Sequence, residues 1–373
     1  MYRSTLCYLR NKGRTLMMLR DMKVNDVNEG KWIGVGGKFK EGETASECLR
    51  REVKEETGIE LASFLFHGII YFRNDEYEDE EMYLYSAHIS DSEAAGINYD
   101  CPEGTLRFIC DDEIKSLNLW EGDRVFLKDM YAGRSRVSYD LTYEKDRLIR
   151  CEKVPVSTIL FDLDGTLIDT GEGIMKCAQY SLSRAGIYVE DYRELSFFVG
   201  PPLLYTYTKR YGFDEGRARE LIRLYRERYE TTGIFECSLY PGVRECIERL
   251  RGMGCRIAIA SSKPEHMCIK LLKHFDLYDL FDEVCGATPD GRIDTKTEVL
   301  KELFRRQEKN DPEYISGCIL IGDTGFDMAG AADVGISGMG VSFGYGDTDE
   351  MLRLGAVCIA DSMGDIPDII KAF

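Results

Sequence analysis

Apolar and polar positions alternate with a period of two through most of the first 150 residues. Residues 3–20 alternate on both sides of the turn Asn11-Lys12-Gly13 and predict two strands. Residues 61–72, 81–89 and 104–110 predict further strands, with a short helix over 111–117 and an apolar helix over 124–130. A polar loop through Asn25, Asn28 and Glu29 leads to Trp32, and residues 135–152 alternate as a hairpin about Glu144-Lys145-Asp146. The acidic run over 74–80 predicts a solvated loop, with a metal-holding carboxylate as the alternative. The period switches to helical after the glycine turn Gly34-Val35-Gly36-Gly37. Thr44 and Glu47 form a capping-box pattern, and Gly58 supplies a left-handed stop. The sum for this half is a mixed sheet with a few helices.

Beyond Lys153-Val154-Pro155 the pattern changes. The apolar runs 156–161, 256–260 and 318–321 are short and continuous, as in parallel strands buried on both faces. Helical stretches separate them, so a doubly wound parallel sheet is expected. Each run ends in a polar residue: Asp162, Ser261, and Asp323 after Gly322. Ligands of open α/β sheets bind beyond the carboxyl ends of strands. The stretch 171–239 is too long for one crossover helix and predicts an inserted helical cap. The expected division is 1–153, an α+β domain, and 154–373, an α/β domain with its cap at about 171–239.

The helix after the glycine turn carries the first chemistry. At about 100° per residue, Ala45, Cys48 and Leu49 share an arc. Glu52, Glu55 and Glu56 continue it one turn later, whereas Arg50 and Lys54 point away. Three carboxylates extending a core-facing stripe repel one another and call for a divalent cation.

Composition narrows the function classes. The chain has 373 residues, a net charge of −18 and 31% charged residues, which disfavours general nucleic-acid or membrane-surface binding. Nucleotides remain compatible, because metal and local lysine or arginine can neutralise phosphates. The 13 cysteines lack a C-x-x-C pair and histidines number four, which fits reduced thiols in a cytoplasmic protein better than disulfides or zinc. No signal peptide or membrane-spanning run is expected. Oligomeric state is not legible.

The spacing Gly37, five residues, Glu43, seven residues, Arg51-Glu52-Val53-Lys54-Glu55-Glu56-Thr57-Gly58-Ile59 resembles the Nudix box at every specified position. The resemblance covers about residues 1–152 and implies a Nudix α/β/α sandwich that hydrolyses a nucleoside diphosphate linked to another group. It implies that Glu52, Glu55 and Glu56 hold Mg²⁺ or Mn²⁺, with Glu55 and Glu56 in the catalytic set. Gly36, Gly37 and Arg51 would then lie at the substrate phosphates, and Arg51 orients the carboxylates. The flanks around Trp32 and around Leu119-Trp120-Glu121-Gly122-Asp123 resemble MutT-type hydrolases of oxidised purine nucleotides. Trp32 and Trp120 offer either a base-stacking face or core packing. Ile33 stands where some of those enzymes place asparagine.

Phe161-Asp162-Leu163-Asp164-Gly165-Thr166-Leu167 resembles the first motif of haloacid-dehalogenase-like phosphatases. Ser261, Lys296, and Asp323 with Asp327 follow in the family's order. The resemblance implies a Rossmann-like core in which Asp162 is the nucleophile forming an aspartyl-phosphate and Asp164 is the general acid and base. It implies phosphoryl binding by Ser261 and Lys296, with Lys263 competing for the lysine role. Asp162, the Asp164 carbonyl, Asp323 and Asp327 would hold Mg²⁺. Residues 198–203, 240–243 and 338–347 resemble the phosphoglycolate-phosphatase and 5′-nucleotidase-like branch. The joined resemblances imply a two-step hydrolase: a nucleoside triphosphate, 8-oxo-dGTP-like, cut to monophosphate and pyrophosphate, then dephosphorylated. The alternatives are a nucleotide-sugar or dinucleotide pyrophosphatase beside an independent phosphatase, or a nucleotide-sensing Nudix domain that regulates the phosphatase.

Overall fold

The computed structural model describes residues 1–22, 26–99, 101–133, 136–200, 203–288, 292–307, 314–315 and 317–373. Expectations for Asn25, for residue 135 and for Pro201-Pro202 lie outside the described residues.

Among the described residues the first sheet has eight strands: β1 (Tyr2–Asn11), β2 (Arg14–Leu19), β3 (Trp32–Ile33), β4 (Leu65–Asn74), β5 (Glu80–His88), β6 (Thr105–Cys110), β7 (Tyr139–Glu144) and β8 (Arg147–Lys153). Their order is β3-β2-β1-β5-β4-β7-β8, with β6 pairing to β2. The β1–β5 and β4–β7 pairs are parallel and the others antiparallel, so the sheet is mixed. Its helices are α1 (Ala45–Thr57), α2 (Asp91–Ala95) and α3 (Glu121–Tyr131). The period-two pattern buries both faces. Cys7, Leu9, Tyr83 and Tyr85 pack with Ala45, Leu49 and Val53 of α1. Leu6, Tyr8, Phe72 and Leu84 pack with Phe126, Leu127 and Met130 of α3. That is an α/β/α sandwich.

Helix α1 begins and ends as its residues dictate. The Thr44 hydroxyl accepts from the Glu47 N–H at 3.2 Å while the Glu47 carboxylate accepts from the Thr44 N–H at 2.8 Å. Gly58 ends the helix at φ 79°, where only glycine is unstrained. The strand expected from residue 61 starts instead at Leu65, and the helix expected over 111–117 shrinks to one 3₁₀ turn at Ile114–Ser116.

The second sheet is all parallel. Strands β9 (Thr158–Phe161), β12 (Arg256–Pro264), β13 (Glu283–Ala287), β14 (Cys318–Gly322), β15 (Ser337–Val341) and β16 (Ala356–Ala360) run in the order β13-β12-β9-β14-β15-β16. The two-residue strands β10 (Ile168–Asp169) and β11 (Ser238–Leu239) pair at the base of an excursion. That excursion contains helices α4 (Gly171–Ser183), α5 (Leu203–Tyr205) and α6 (Glu215–Thr231). Helices α7 (Val243–Gly252), α8 (Glu265–His274), α9 (Lys296–Arg306), α10 (Gly325–Val334), α11 (Thr348–Arg353) and α12 (Ile366–Ala372) complete the layers. Ile159 and Phe161 face one layer while Leu160 faces the other, where it meets Leu300 and Leu303 of α9 and Ala331 of α10. Among the described residues no helix is long and apolar enough to cross a membrane. All 13 cysteines are free.

Candidate active sites

Strand register builds the second site. Ile259 of β12 and Ile321 of β14 both pair with Phe161 of β9, so the residues that follow come level on three adjacent strands. Asp162 follows at once on β9, and Ser261 on β12 and Asp323 just past β14 lie one position further along. Ser261 lies inside β12, which runs on to Pro264, rather than closing the strand. Asp162, Asp323 and Asp327 are buried and present carboxylate oxygens within 4.8 Å of one another; among the described residues this is the one such trio. Asp327 sits in the first turn of α10 and accepts from the Thr324 N–H at 3.0 Å and the Thr324 hydroxyl at 2.8 Å.

Lys296, the first residue of α9, reaches into this cluster. Its Nζ lies 2.8 Å from Asp162 Oδ1 and 2.8 Å from Asp327 Oδ1, and donates to the Ala260 carbonyl at 2.7 Å. Burial opposes its charge, but Asp162 and Asp327 hold the ammonium above the usual lysine range. Lys263 goes elsewhere: its Nζ donates to both Asp164 oxygens, at 2.9 and 2.7 Å, and to the Tyr229 hydroxyl of α6 at 2.7 Å. The lysine beside Asp162 is therefore Lys296, and Lys263 joins Asp164 to the excursion. The Asp164 carboxylate is not in the carboxylate trio.

With all three buried carboxylates ionised, one lysine would leave two negative charges uncompensated, which is costly away from solvent. Burial, then Asp162 and Asp327, push Asp323 up to about 8. Asp162 Oδ1 and Asp327 Oδ1 make no aligned hydrogen bond, only their ion pairs to Lys296. Oxygen donors with spare lone pairs and excess negative charge fit a hard divalent cation. Residues that the sequence reading left out close the site: the Tyr345 N–H donates to Asp323 Oδ2 at 2.8 Å, and Gly344 packs so closely that a Cβ there would lie 2.2 Å from Asp323 Cβ. The glycines of 338–347 were their only signal.

The first site lies where α1 meets the glycine turn. Glu56, only 6% exposed, accepts from the Gly36 N–H at 2.8 Å, and burial pushes it up to about 8. Gly37 packs on the Glu52 carboxylate, which a Cβ at position 37 would have to push aside. Arg51 grips Glu43 through two nitrogens at 2.6 and 2.8 Å, and its Nη1 donates to Glu52 at 2.5 Å and Glu55 at 3.3 Å. That bidentate grip holds Glu43 down at about 2. The three glutamates do not converge as the bare stripe predicted. Glu55 faces solvent, and Arg51 supplies much of the neutralisation assigned to a cation. Their hard oxygen donors still suit one.

Beside these residues opens a cavity of about 580 Å³, lined among others by Gly36, Gly37, Glu52, Phe72, Trp120 and Asp123. Trp120 is buried edge-on against Phe72 and Tyr143, and its indole N–H donates to Asn28 at 2.8 Å. It both packs in the core and lines the cavity. Trp32 does not line it and packs with the α3-side core, whereas its neighbour Ile33 does. Asp123 was passed over as a site residue. Its signal was its place on the apolar face of α3, three and four residues before Phe126 and Leu127. Burial, then the nearby Glu80 charge, push Asp123 up to about 8, which favours its protonated form. Glu78 and Glu80 of the expected acidic loop also line the cavity.

Family models match on both sides: a NUDIX domain over residues 2–134 and a haloacid dehalogenase-like hydrolase over residues 159–341. The chain joins a Nudix domain to a haloacid dehalogenase-like hydrolase. It is 39% identical over 195 residues to a 5′-nucleotidase of Pseudomonas aeruginosa, covering 52% of this chain and 86% of the relative. It is 35% identical over 191 residues to tyrosine-protein kinase PtkA of Mycobacterium tuberculosis, covering 51% of this chain and 64% of that protein. A crystal structure of a predicted phosphatase from Clostridium acetobutylicum superposes with TM-score 0.55 at 34% identity, covering 59% of this chain and 100% of that one. The chain is an enzyme of the hydrolase class, with one family acting on diphosphate bonds and the other on phosphate monoesters.

Proposed function

We propose that the two sites act in succession on one nucleotide. The Nudix site, about residues 1–153, takes a purine nucleoside triphosphate of the oxidised, 8-oxo-dGTP-like class to monophosphate and pyrophosphate. The phosphatase site, about residues 154–373 with the helical excursion as its cap, removes the remaining phosphate. The observation that carries this reading is a nucleotide-sized cavity abutting Glu52, in the same chain as a site whose relative is a 5′-nucleotidase.

In the Nudix cavity, the Trp120 and Phe72 walls bury the base while the protonated Asp123 carboxyl can donate to a ring nitrogen or carbonyl. The triphosphate then extends toward Gly36, Gly37 and the glutamates. In the phosphatase site, Asp162 attacks the phosphorus, the ester P–O bond breaks, and Asp164 delivers a proton to the departing oxygen. Water then attacks the aspartyl-phosphate with Asp164 taking its proton, which releases inorganic phosphate. Lys296 and Ser261 hold the transferring oxygens. Lys263, tied to Tyr229, keeps Asp164 turned toward the cap. Drawn together from the positions they take here, Glu52, Glu55 and Glu56 would hold one Mg²⁺, and Asp162, Asp323, Asp327 and the Asp164 carbonyl would hold a second; bound there, the ions would neutralise phosphate charge.

Two single variants test the division of labour. Glu56→Gln should slow 8-oxo-dGTP consumption by about 100-fold or more and leave p-nitrophenyl phosphate hydrolysis unchanged. Asp162→Asn should do the reverse. If either substitution lowers both activities equally, or if 8-oxo-dGTP is not consumed by the unaltered chain, the assignment is wrong.

A further inference from the structure

The two domains share a packed seam, and one side of it reaches the phosphate-binding lysine. Helix α1 lies against α10, and Ala332 of α10 is buried in the Nudix core with Ala45 and Leu49. Across the seam the Ser46 hydroxyl of α1 donates to Asp333 Oδ1 at 2.7 Å. The other oxygen, Asp333 Oδ2, accepts from the Thr297 hydroxyl at 2.9 Å. Thr297 is the residue after Lys296.

Helix α10 therefore meets the Lys296 region at three places spaced three residues apart, along one face. Asp327 pairs with the ammonium at 2.8 Å. Gly330 lies against the stem, so close that a Cβ there would sit 2.8 Å from Lys296 Cβ and 2.7 Å from its Cγ. Asp333 holds the adjoining threonine. With Ser46 on one oxygen and Thr297 on the other, Asp333 ties the first turn of the Nudix helix to the first turn of the helix that presents Lys296.

We propose that Asp333 is a positioning residue for Lys296, and that Ser46 makes the Nudix helix part of the support of the phosphatase site. This rests on the reading of Asp162 and Lys296 as phosphatase residues. The bridge orients the first turn of α9 rather than touching the phosphate itself. Its loss should therefore lower kcat for phosphate-ester hydrolysis and loosen inorganic phosphate inhibition, with little change in KM for a small ester.

The experiment uses the full-length chain with p-nitrophenyl phosphate as substrate and inorganic phosphate as inhibitor. Asp333→Ala should lower kcat about tenfold, the scale of the two hydrogen bonds it removes. Ser46→Ala, which leaves the Thr297 half intact, should lower it about threefold. Asp333→Asn keeps a polar partner for each hydroxyl and should stay within about twofold of the unaltered chain. Thermal melting of each variant separates repositioning from unfolding; if Asp333→Ala does not fold, Ser46→Ala and Thr297→Val carry the test. The inference is overturned if the alanine variants turn over as the unaltered chain does, or if Asp333→Asn falls as far as Asp333→Ala. If the unaltered chain is no faster than Asp162→Asn, the phosphatase reading itself fails and this inference goes with it.

Discussion

Replacing Lys296 with methionine separates the two lysines that the sequence offered for phosphate. In the structure Lys296 Nζ lies 2.8 Å from Asp162 Oδ1 and 2.8 Å from Asp327 Oδ1. At an effective dielectric of about 20, each such pair is worth about 6 kcal/mol before desolvation is subtracted. Removing one partner of a buried ion pair costs about 3–5 kcal/mol of stability. Removing a preorganised charge donor from a transferring group costs about 10²–10³ in turnover. Lys263→Met breaks the links to Asp164 and Tyr229 but leaves the charge beside Asp162, so its loss should be at least about tenfold smaller. Steady-state hydrolysis of p-nitrophenyl phosphate, with rapid quenching to count phosphorylated enzyme, gives both numbers. Phosphoenzyme formation should slow in Lys296→Met. Equal losses in the two variants, or a larger loss in Lys263→Met, would refute the reasoning.

Asp123 makes stability depend on pH with a fixed sign. Its folded value of about 8 lies above the unfolded carboxylate value of about 3.9. The folded chain therefore holds an extra proton in that window, and the contribution is present at low pH and lost as pH rises through 8. At about 1.4 kcal/mol per pH unit, Asp123→Asn should gain up to about 3 kcal/mol on the unaltered chain between about pH 5 and pH 7.5, read from denaturant unfolding. A constant difference across that range would contradict the assignment. Gly344→Ala places a methyl 2.2 Å from Asp323 Cβ and 2.5 Å from the Gly165 carbonyl, so phosphate-ester turnover should collapse while 8-oxo-dGTP consumption persists. Retained ester turnover would show that this loop yields more readily than its packing indicates.

Local features were legible in the sequence because they are written in neighbouring residues. The cap at Thr44 and Glu47 and the stop at Gly58 needed nothing beyond a few positions. Asp162 and Asp323 stood out because each ends a continuous apolar run, and parallel strands carry such ends to one edge. The misjudged features depend on how side chains fold back or on partners distant in the chain. The helical angle of the glutamate stripe does not show Arg51 folding back over Glu43, Glu52 and Glu55; only the resemblance to the Nudix box pointed to Arg51 orienting the carboxylates. Trp32 and Trp120 looked equivalent until strand pairing put Ile33, not Trp32, at the cavity. Tyr229 meets Lys263 across 34 positions, and Ser46 meets Asp333 across 287. No local pattern encodes either contact.

The most direct measurement of successive action is a product time course by mass spectrometry, with 8-oxo-dGTP and Mg²⁺, for the unaltered chain and for Asp162→Asn. Two active sites in sequence predict nucleoside as the end product of the unaltered chain and monophosphate accumulating in the variant at the same rate of triphosphate loss. Nucleoside formed equally by both proteins would contradict the account.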